Sequence, residues 1–178
     1  MGDRERLFEL VKDMGLVSGD FILSSGRKAS YYFDLRMVTL FPEGAYLVGK
    51  EVLTLASGAM AIGGPAISAI PMVAATAVVG FWEGRPIPSF IVRDSPKAHG
   101  RYKVIEGHLP PRGGKVSMVD DVITTGSSLF RSIEAVEAEG VEVVRVITIL
   151  DRHGGGSDSL KQKGYDFISL FSEEDFVK

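Results

Sequence analysis

Val116-Ser117-Met118-Val119-Asp120-Asp121-Val122-Ile123-Thr124-Thr125-Gly126-Ser127-Ser128 changes character twice in a short space. A largely apolar run, as expected of a strand buried on both faces, ends in two adjacent carboxylates. One glycine among four hydroxyl residues follows, and then Leu129, Ile133 and Val136 recur at helical spacing. Strand, small-residue loop and helix start together make a phosphate cradle. The helix N-terminus offers free N–H groups and the positive end of its dipole, Gly126 lets the backbone approach an anion, and Thr124, Thr125, Ser127 and Ser128 can donate further hydrogen bonds. Asp120 and Asp121, at the carboxyl end of the strand, would lie beside that phosphate and accept hydrogen bonds from a sugar diol or hold a hydrated metal ion. Phosphate plus diol describes a ribose 5-phosphate. The plainer alternative is an acidic helix start with hydroxyl caps. Neither GxxxxGK[ST] nor a GxGxxG after a strand is present, which argues against a nucleoside-triphosphate loop and a dinucleotide fingerprint.

Outward from this stretch, apolar strands alternate with helices. The pattern predicts helices over residues 3–14, 42–56, 70–79 and 127–139, and strands over 59–62, 89–93, 116–121, 142–150 and 165–170. That order implies an α/β fold, a parallel sheet flanked by helices, in a single domain over residues 1–178. Phe21-Ile22-Leu23 and Tyr31-Tyr32-Phe33 read as two strands around the turn Ser24 to Lys28, a small N-terminal lobe within residues 1–40. Residues 93–114 are long, polar and poor in secondary-structure signal, as expected of a mobile lid.

Composition narrows the function. The chain has no cysteine, which removes disulfides, thiolate metal sites and a cysteine nucleophile together, and its three histidines do not form a zinc-ligand spacing. The net charge is −3, yet Arg93 to Lys115 carries six Lys/Arg against two Asp/Glu, an island of +4 suited to an anionic ligand. Only Tyr102 could stack there, too little for a nucleic-acid groove. Val52 to Trp82 is free of charge, but Gly63-Gly64-Pro65 and Pro71 break it, so a buried strand, turn and helix are expected rather than a membrane span. The charged N-terminus has no signal-peptide core, and a cytoplasmic location is expected.

VDDVITTG at 119–126 resembles the phosphoribosyl pyrophosphate signature of the type I phosphoribosyltransferases. Gly19 to Lys28 followed by Tyr31-Tyr32-Phe33-Asp34-Leu35-Arg36 is similar to the N-terminal hood of the orotate enzymes in that family. Val92 to Gly100 and Leu150-Asp151-Arg152 agree with their lid and base pocket. The resemblance implies the type I phosphoribosyltransferase fold with a hood lobe. It also implies transfer of a phosphoribosyl group from phosphoribosyl pyrophosphate (PRPP) to orotate, in pyrimidine biosynthesis, through an oxocarbenium-like transition state. Asp120 and Asp121 would hold the ribose hydroxyls, and Val122, Ile123, Thr124, Thr125, Gly126, Ser127 and Ser128 the 5-phosphate loop. Arg93, Lys97 and His99 would meet the departing pyrophosphate from the lid. Tyr32, Phe33, Thr124 and Arg152 would form the orotate pocket. Mg2+ would ride on the pyrophosphate with no direct protein ligand, and the unit would be a homodimer whose lid residues are shared across the interface. Asp94 stands where many orotate enzymes carry lysine, and is expected to oppose the anionic substrate. Ser68 likewise replaces a lysine common in one branch, within a loop whose backbone N–H groups would receive the pyrophosphate. Two other readings stand beside this one: a transferase for another base, and a catalytically weak phosphoribosyl-binding regulator.

Overall fold

In the computed structural model, which describes residues 2–22, 28–56, 58–94 and 104–177, α1 (Asp3–Leu10) runs into one π-helical stretch, Val11–Gly15. β1 (Leu16–Ile22) and β2 (Lys28–Phe33) then pair antiparallel, Leu16 opposite Phe33. The expected hairpin lobe is there, with its first strand beginning at Leu16 rather than Phe21. Then follow α2 (Arg36–Thr39), α3 (Pro42–Leu55), β3 (Ala61–Pro65), α4 (Ile70–Trp82), β4 (Ser89–Val92) and β5 (Ile105–Gly107). The chain continues with β6 (Lys115–Ile123), α5 (Ser127–Ala138), β7 (Glu142–Asp151), α6 (Gly156–Gln162) and β8 (Phe167–Ser172). It closes with a 3-10 turn at Glu173–Asp175.

The central sheet has the order β5-β4-β3-β6-β7-β8. Five of its strands are parallel, but β5 runs antiparallel to β4, with Val92 opposite Ile105 and Phe90 opposite Gly107. This corrects two expectations: the sheet is mixed, and residues 93–114 are not one structureless loop. Ile105-Glu106-Gly107 carries no alternation to read; its partner strand supplies the order.

Alternation along β6 and β7 builds two cores. Val119 and Ile147 face one way and join Leu47, Val48 and Val52 of α3 and Met72 and Val73 of α4. Met118 and Val146 face the other way and join Leu129, Ile133 and Val136 of α5 and Leu160 of α6. A strand buried on both faces needs mostly apolar side chains, which is why only the small, buried Ser117 interrupts the apolar run over 116–119. The uncharged run Val52–Trp82 is divided among the end of α3, β3 and α4. Among the described residues no helix is long and apolar enough to cross a membrane.

Successive strands leave β3 in opposite directions, β4 to one side and β6 to the other. In open α/β sheets such a reversal opens a crevice at the carboxyl ends of the strands.

Candidate functional site

The crevice between the ends of β3, β6 and β7 is a cleft of about 330 Å3. Its walls are Ile67 and Ser68 from the turn after β3, Asp121, Val122 and Thr124 from β6 and its loop, and Arg152 just past β7. Tyr32, Phe33, Asp34, Leu35 and Arg36 close it from the hairpin lobe. A larger hollow of about 990 Å3 lies between α1 and β8, but Asp3, Glu5, Glu9, Glu51 and Asp175 wall it, an environment that repels phosphate.

The 124–126 loop is braced from below. Gly126 caps α5 with φ +75, and a Cβ there would come within 3.3 Å of Ile123 and Phe130. An L side chain would meet both strain and crowding. Gly156 packs on the same loop: its N–H donates to the Thr124 carbonyl at 2.9 Å, and a Cβ on it would sit 2.8 Å from the backbone of Thr124 and Thr125. The Arg152 N–H donates to the Ile123 carbonyl at 2.9 Å, completing the bracing. Thr125 and Ser127 hydroxyls lie 3.1 Å apart at the helix start. The first N–H groups of α5 have no acceptor within the helix, as at any helix start. Ile123 itself is a core residue, packed with α5, so only its backbone belongs to the loop; Val122 is half-buried against the other core.

The two carboxylates have different surroundings. Asp120 is 3% exposed, and its Oδ1 accepts from Ser68 Oγ at 2.6 Å and from the Asp121 N–H at 3.0 Å. Burial, and then the charge of Asp121, push its carboxyl up to about 7, against the pull of the Ser68 hydrogen bond. Asp121 lines the cleft and accepts from the Val122 N–H at 2.7 Å; burial raises its carboxyl, against the pull of that hydrogen bond and then of the Arg36 charge. Arg36 grips Asp34 with two hydrogen bonds of 2.8 and 3.0 Å, and that hydrogen bonding lowers the Asp34 carboxyl below its ordinary range. Ser68, to which the sequence gives no side-chain role, thus ties the turn after β3 to the end of β6; a partner 52 positions away leaves no local signal.

Of the residues expected for a flat anionic ring, Tyr32 and Arg152 reach the cleft side by side with Thr124. Phe33 is 4% exposed and belongs mainly to the core, packed edge-on against Phe176 at 5.7 Å, but it underlies the arginine: the guanidinium carbon of Arg152 is 6.0 Å from its ring centre and 6.0 Å from that of Tyr31. Arg93 stands apart. Its guanidinium is 3.3 Å from Glu106 on β5, and it borders a separate hollow of about 140 Å3 with Asp94 and Arg131. Asp94 does not face the cleft as expected: its carboxylate meets Arg131 of α5 at 3.1 Å, on an exposed flank. Lys97 and His99 lie outside the described residues.

Known proteins resemble the chain over nearly its whole length. The model of the phosphoribosyl transferase domain family matches residues 52–175. An orotate phosphoribosyltransferase of Rhodopirellula baltica is 41% identical over 98% of this chain and 94% of its own length. A crystal structure of the Mycobacterium tuberculosis orotate phosphoribosyltransferase superposes with a TM-score of 0.88 at 37% identity, over 99% of this chain and 100% of that one. Another, of the same protein in complex with PRPP, gives 0.82 at 34% identity, over 98% and 99%. Similarity of this extent, including the hood that other phosphoribosyltransferase branches need not share, places the chain in the orotate phosphoribosyltransferase family.

Proposed function

We propose that the cleft transfers the 5-phosphoribosyl group of PRPP to orotate, breaking the C1–pyrophosphate bond, joining C1 to the pyrimidine nitrogen, and releasing pyrophosphate and orotidine 5′-monophosphate, a step of pyrimidine biosynthesis. The observation that carries this reading is the meeting, in one cleft, of the Thr124 hydroxyl on the loop that leads into α5, a strand-end carboxylate and an arginine laid over aromatic rings. The 124–128 loop holds the 5-phosphate. Asp121 takes the ribose diol, with Asp120 behind it. Positive charge develops on the ribose ring as pyrophosphate leaves, and these carboxylates stabilise it. Arg152 pairs with the orotate carboxylate, and Tyr32 borders its ring. The position of Asp94 removes the motive for reading the protein as a weak binder.

Among the described residues no three His, Cys, Asp or Glu side chains form a metal cluster. Two neighbouring carboxylates, one of them sealed beneath the cleft, are too few for a protein cage, so Mg2+ would be held mainly by phosphate oxygens and water, with Asp121 near it. When bound, the ion neutralises charge on the leaving pyrophosphate.

Lys97 and His99 complete the pyrophosphate site from a neighbouring copy, in a two-fold dimer. Support comes from the apolar surface of the packed helices α3 and α4, where Phe81 is 75% and Trp82 83% exposed, beside Val78 and Tyr46.

The test of the activity is an assay with PRPP, Mg2+ and, in parallel, orotate, uracil, adenine, hypoxanthine and xanthine. Orotate alone should be consumed; equal use of another base, or of none, overturns the reading. The shared site is tested by refolding Lys97→Ala and Asp121→Asn chains together. Each homodimer should be nearly inactive, whereas the heterodimer should regain one intact site. Confirmed heterodimers without activity would exclude sharing.

A further inference from the structure

Arg152 is held on one side by a carboxylate from the far end of the chain. Its Nε donates to Glu173 Oε1 at 3.0 Å, its Nη2 lies 2.9 Å from the same oxygen in the ion pair, and the two side chains are only 17% and 18% exposed. Glu173 opens the 3-10 turn after β8, and that turn is locked at both ends. The Ser172 hydroxyl accepts from the Glu174 N–H at 3.1 Å, and the Ser172 N–H donates to Asp175 at 2.7 Å. Phe176, just beyond, stacks on Phe8 at 4.5 Å and meets Phe33 edge-on. The Tyr31 hydroxyl joins from β2, its ionisation pushed up by burial and then by its hydrogen bond to Glu173. Hairpin lobe, strand end and C-terminal turn thus converge on one carboxylate.

As a charge, Glu173 works against an anionic ring beside Arg152. As a geometric constraint it does the opposite: it occupies one edge of the guanidinium, removes the rotamer freedom of a long side chain, and leaves the remaining donors for Tyr31 and for a ligand in the cleft. An arginine must be held in its fork orientation to meet a carboxylate with two bonds, and an unheld one loses side-chain entropy at every binding event.

We propose that Glu173 is a positioning residue that fixes the Arg152 fork for the carboxylate of the base, and so helps select a carboxylated pyrimidine over one without that group. This rests on the proposed role of Arg152.

The test is steady-state kinetics with each substrate varied in turn. Glu173→Ala should raise the KM for orotate about tenfold, the equivalent of roughly 1.4 kcal/mol. It should leave the KM for PRPP within about twofold. Glu173→Gln keeps an acceptor oxygen and should restore orotate KM to within about threefold of the parent. The double variant Arg152→Ala/Glu173→Ala should be no worse for orotate than Arg152→Ala alone. Should Glu173→Ala fail to fold, Tyr31→Phe, which deletes one hydroxyl partner, should raise orotate KM selectively by a few-fold. An unchanged orotate KM in Glu173→Ala or, in its absence, in Tyr31→Phe, or an equal rise for both substrates, overturns the inference. If Arg152→Ala itself leaves orotate KM unchanged, the arginine's assignment is what fails.

Discussion

Asp94, just past β4, and Asp120, near the end of β6, belong to the two strands that flank β3, carry the same formal charge, and have nothing else in common. Asp94 sits on a wet flank, matched by Arg131 at 3.1 Å, with both side chains mostly exposed. Asp120 is sealed beneath the cleft with a serine hydroxyl and a backbone N–H for partners and a second carboxylate next to it. Solvent screens the first to near irrelevance, while the second is held in an environment that disfavours its own ionised form. Sequence position near a phosphate site therefore says little about electrostatic consequence; desolvation decides it.

The comparison breaks first at the strand end. Asp121→Asn and Asp120→Asn should each lower kcat/KM for PRPP by about 10- to 100-fold, the loss of one or more charge-assisted bonds of roughly 1.5–3 kcal/mol. Circular dichroism should remain that of the parent, because neither change opens a core cavity. Parent-like turnover in both variants would mean that the carboxylates serve only the fold.

Next comes stability against pH. The Asp120 carboxyl titrates at about 7 in the folded chain and near its ordinary value when unfolded. The native state therefore keeps a proton that the unfolded chain releases, and this group's contribution to stability falls as pH rises from about 4 to about 7. Asp120→Asn removes the penalty, so denaturant titrations should show it more stable than the parent at pH 8 by up to about 4 kcal/mol and little different at pH 4. The acid limb of the parent's kcat/KM profile for PRPP, centred near pH 7, should vanish from whatever activity the variant retains. A stability difference independent of pH would show that Asp120 titrates normally.

The smallest effect belongs to the flank. Asp94→Lys exchanges an exposed ion pair for an exposed repulsion with Arg131, so stability should move by no more than about 0.5 kcal/mol. The KM for PRPP should stay within about twofold at physiological ionic strength. A several-fold, salt-sensitive drop in KM would show that Asp94 reaches the substrate after all.

Much of this was legible in the residues themselves. The 116–128 stretch carries its strand, loop and helix in unbroken local chemistry, and the structure sets them where that chemistry implies. The hairpin lobe was readable from Tyr31-Tyr32-Phe33, whose alternation leaves Tyr32 at the cleft and Phe33 in the core. Other features have no local signal because distant partners create them. The Ser68–Asp120 bond and the Arg152–Glu173 clamp join separate elements, and β5 exists only because β4 offers it an edge. The sequence pattern assigns no helix between 150 and 165, yet Gly156 starts α6 there and braces the phosphate turn.

The antiparallel pairing of β4 with β5 bears on how this enzyme family can change over time. The Arg93 N–H donates to the Val104 carbonyl at 2.8 Å, one rung beyond Val92 and Ile105, so strand pairing holds the two ends of the connection together. The connection from 94 to 103 is thereby closed by strand pairing, and its length is uncoupled from the architecture beneath. Doubling such a connection costs only about 0.6 kcal/mol in closure entropy. Insertions, deletions and charge swaps there can accumulate between species at almost no expense to folding, while the cradle on β6, hemmed in by Gly126 and Gly156, tolerates almost none.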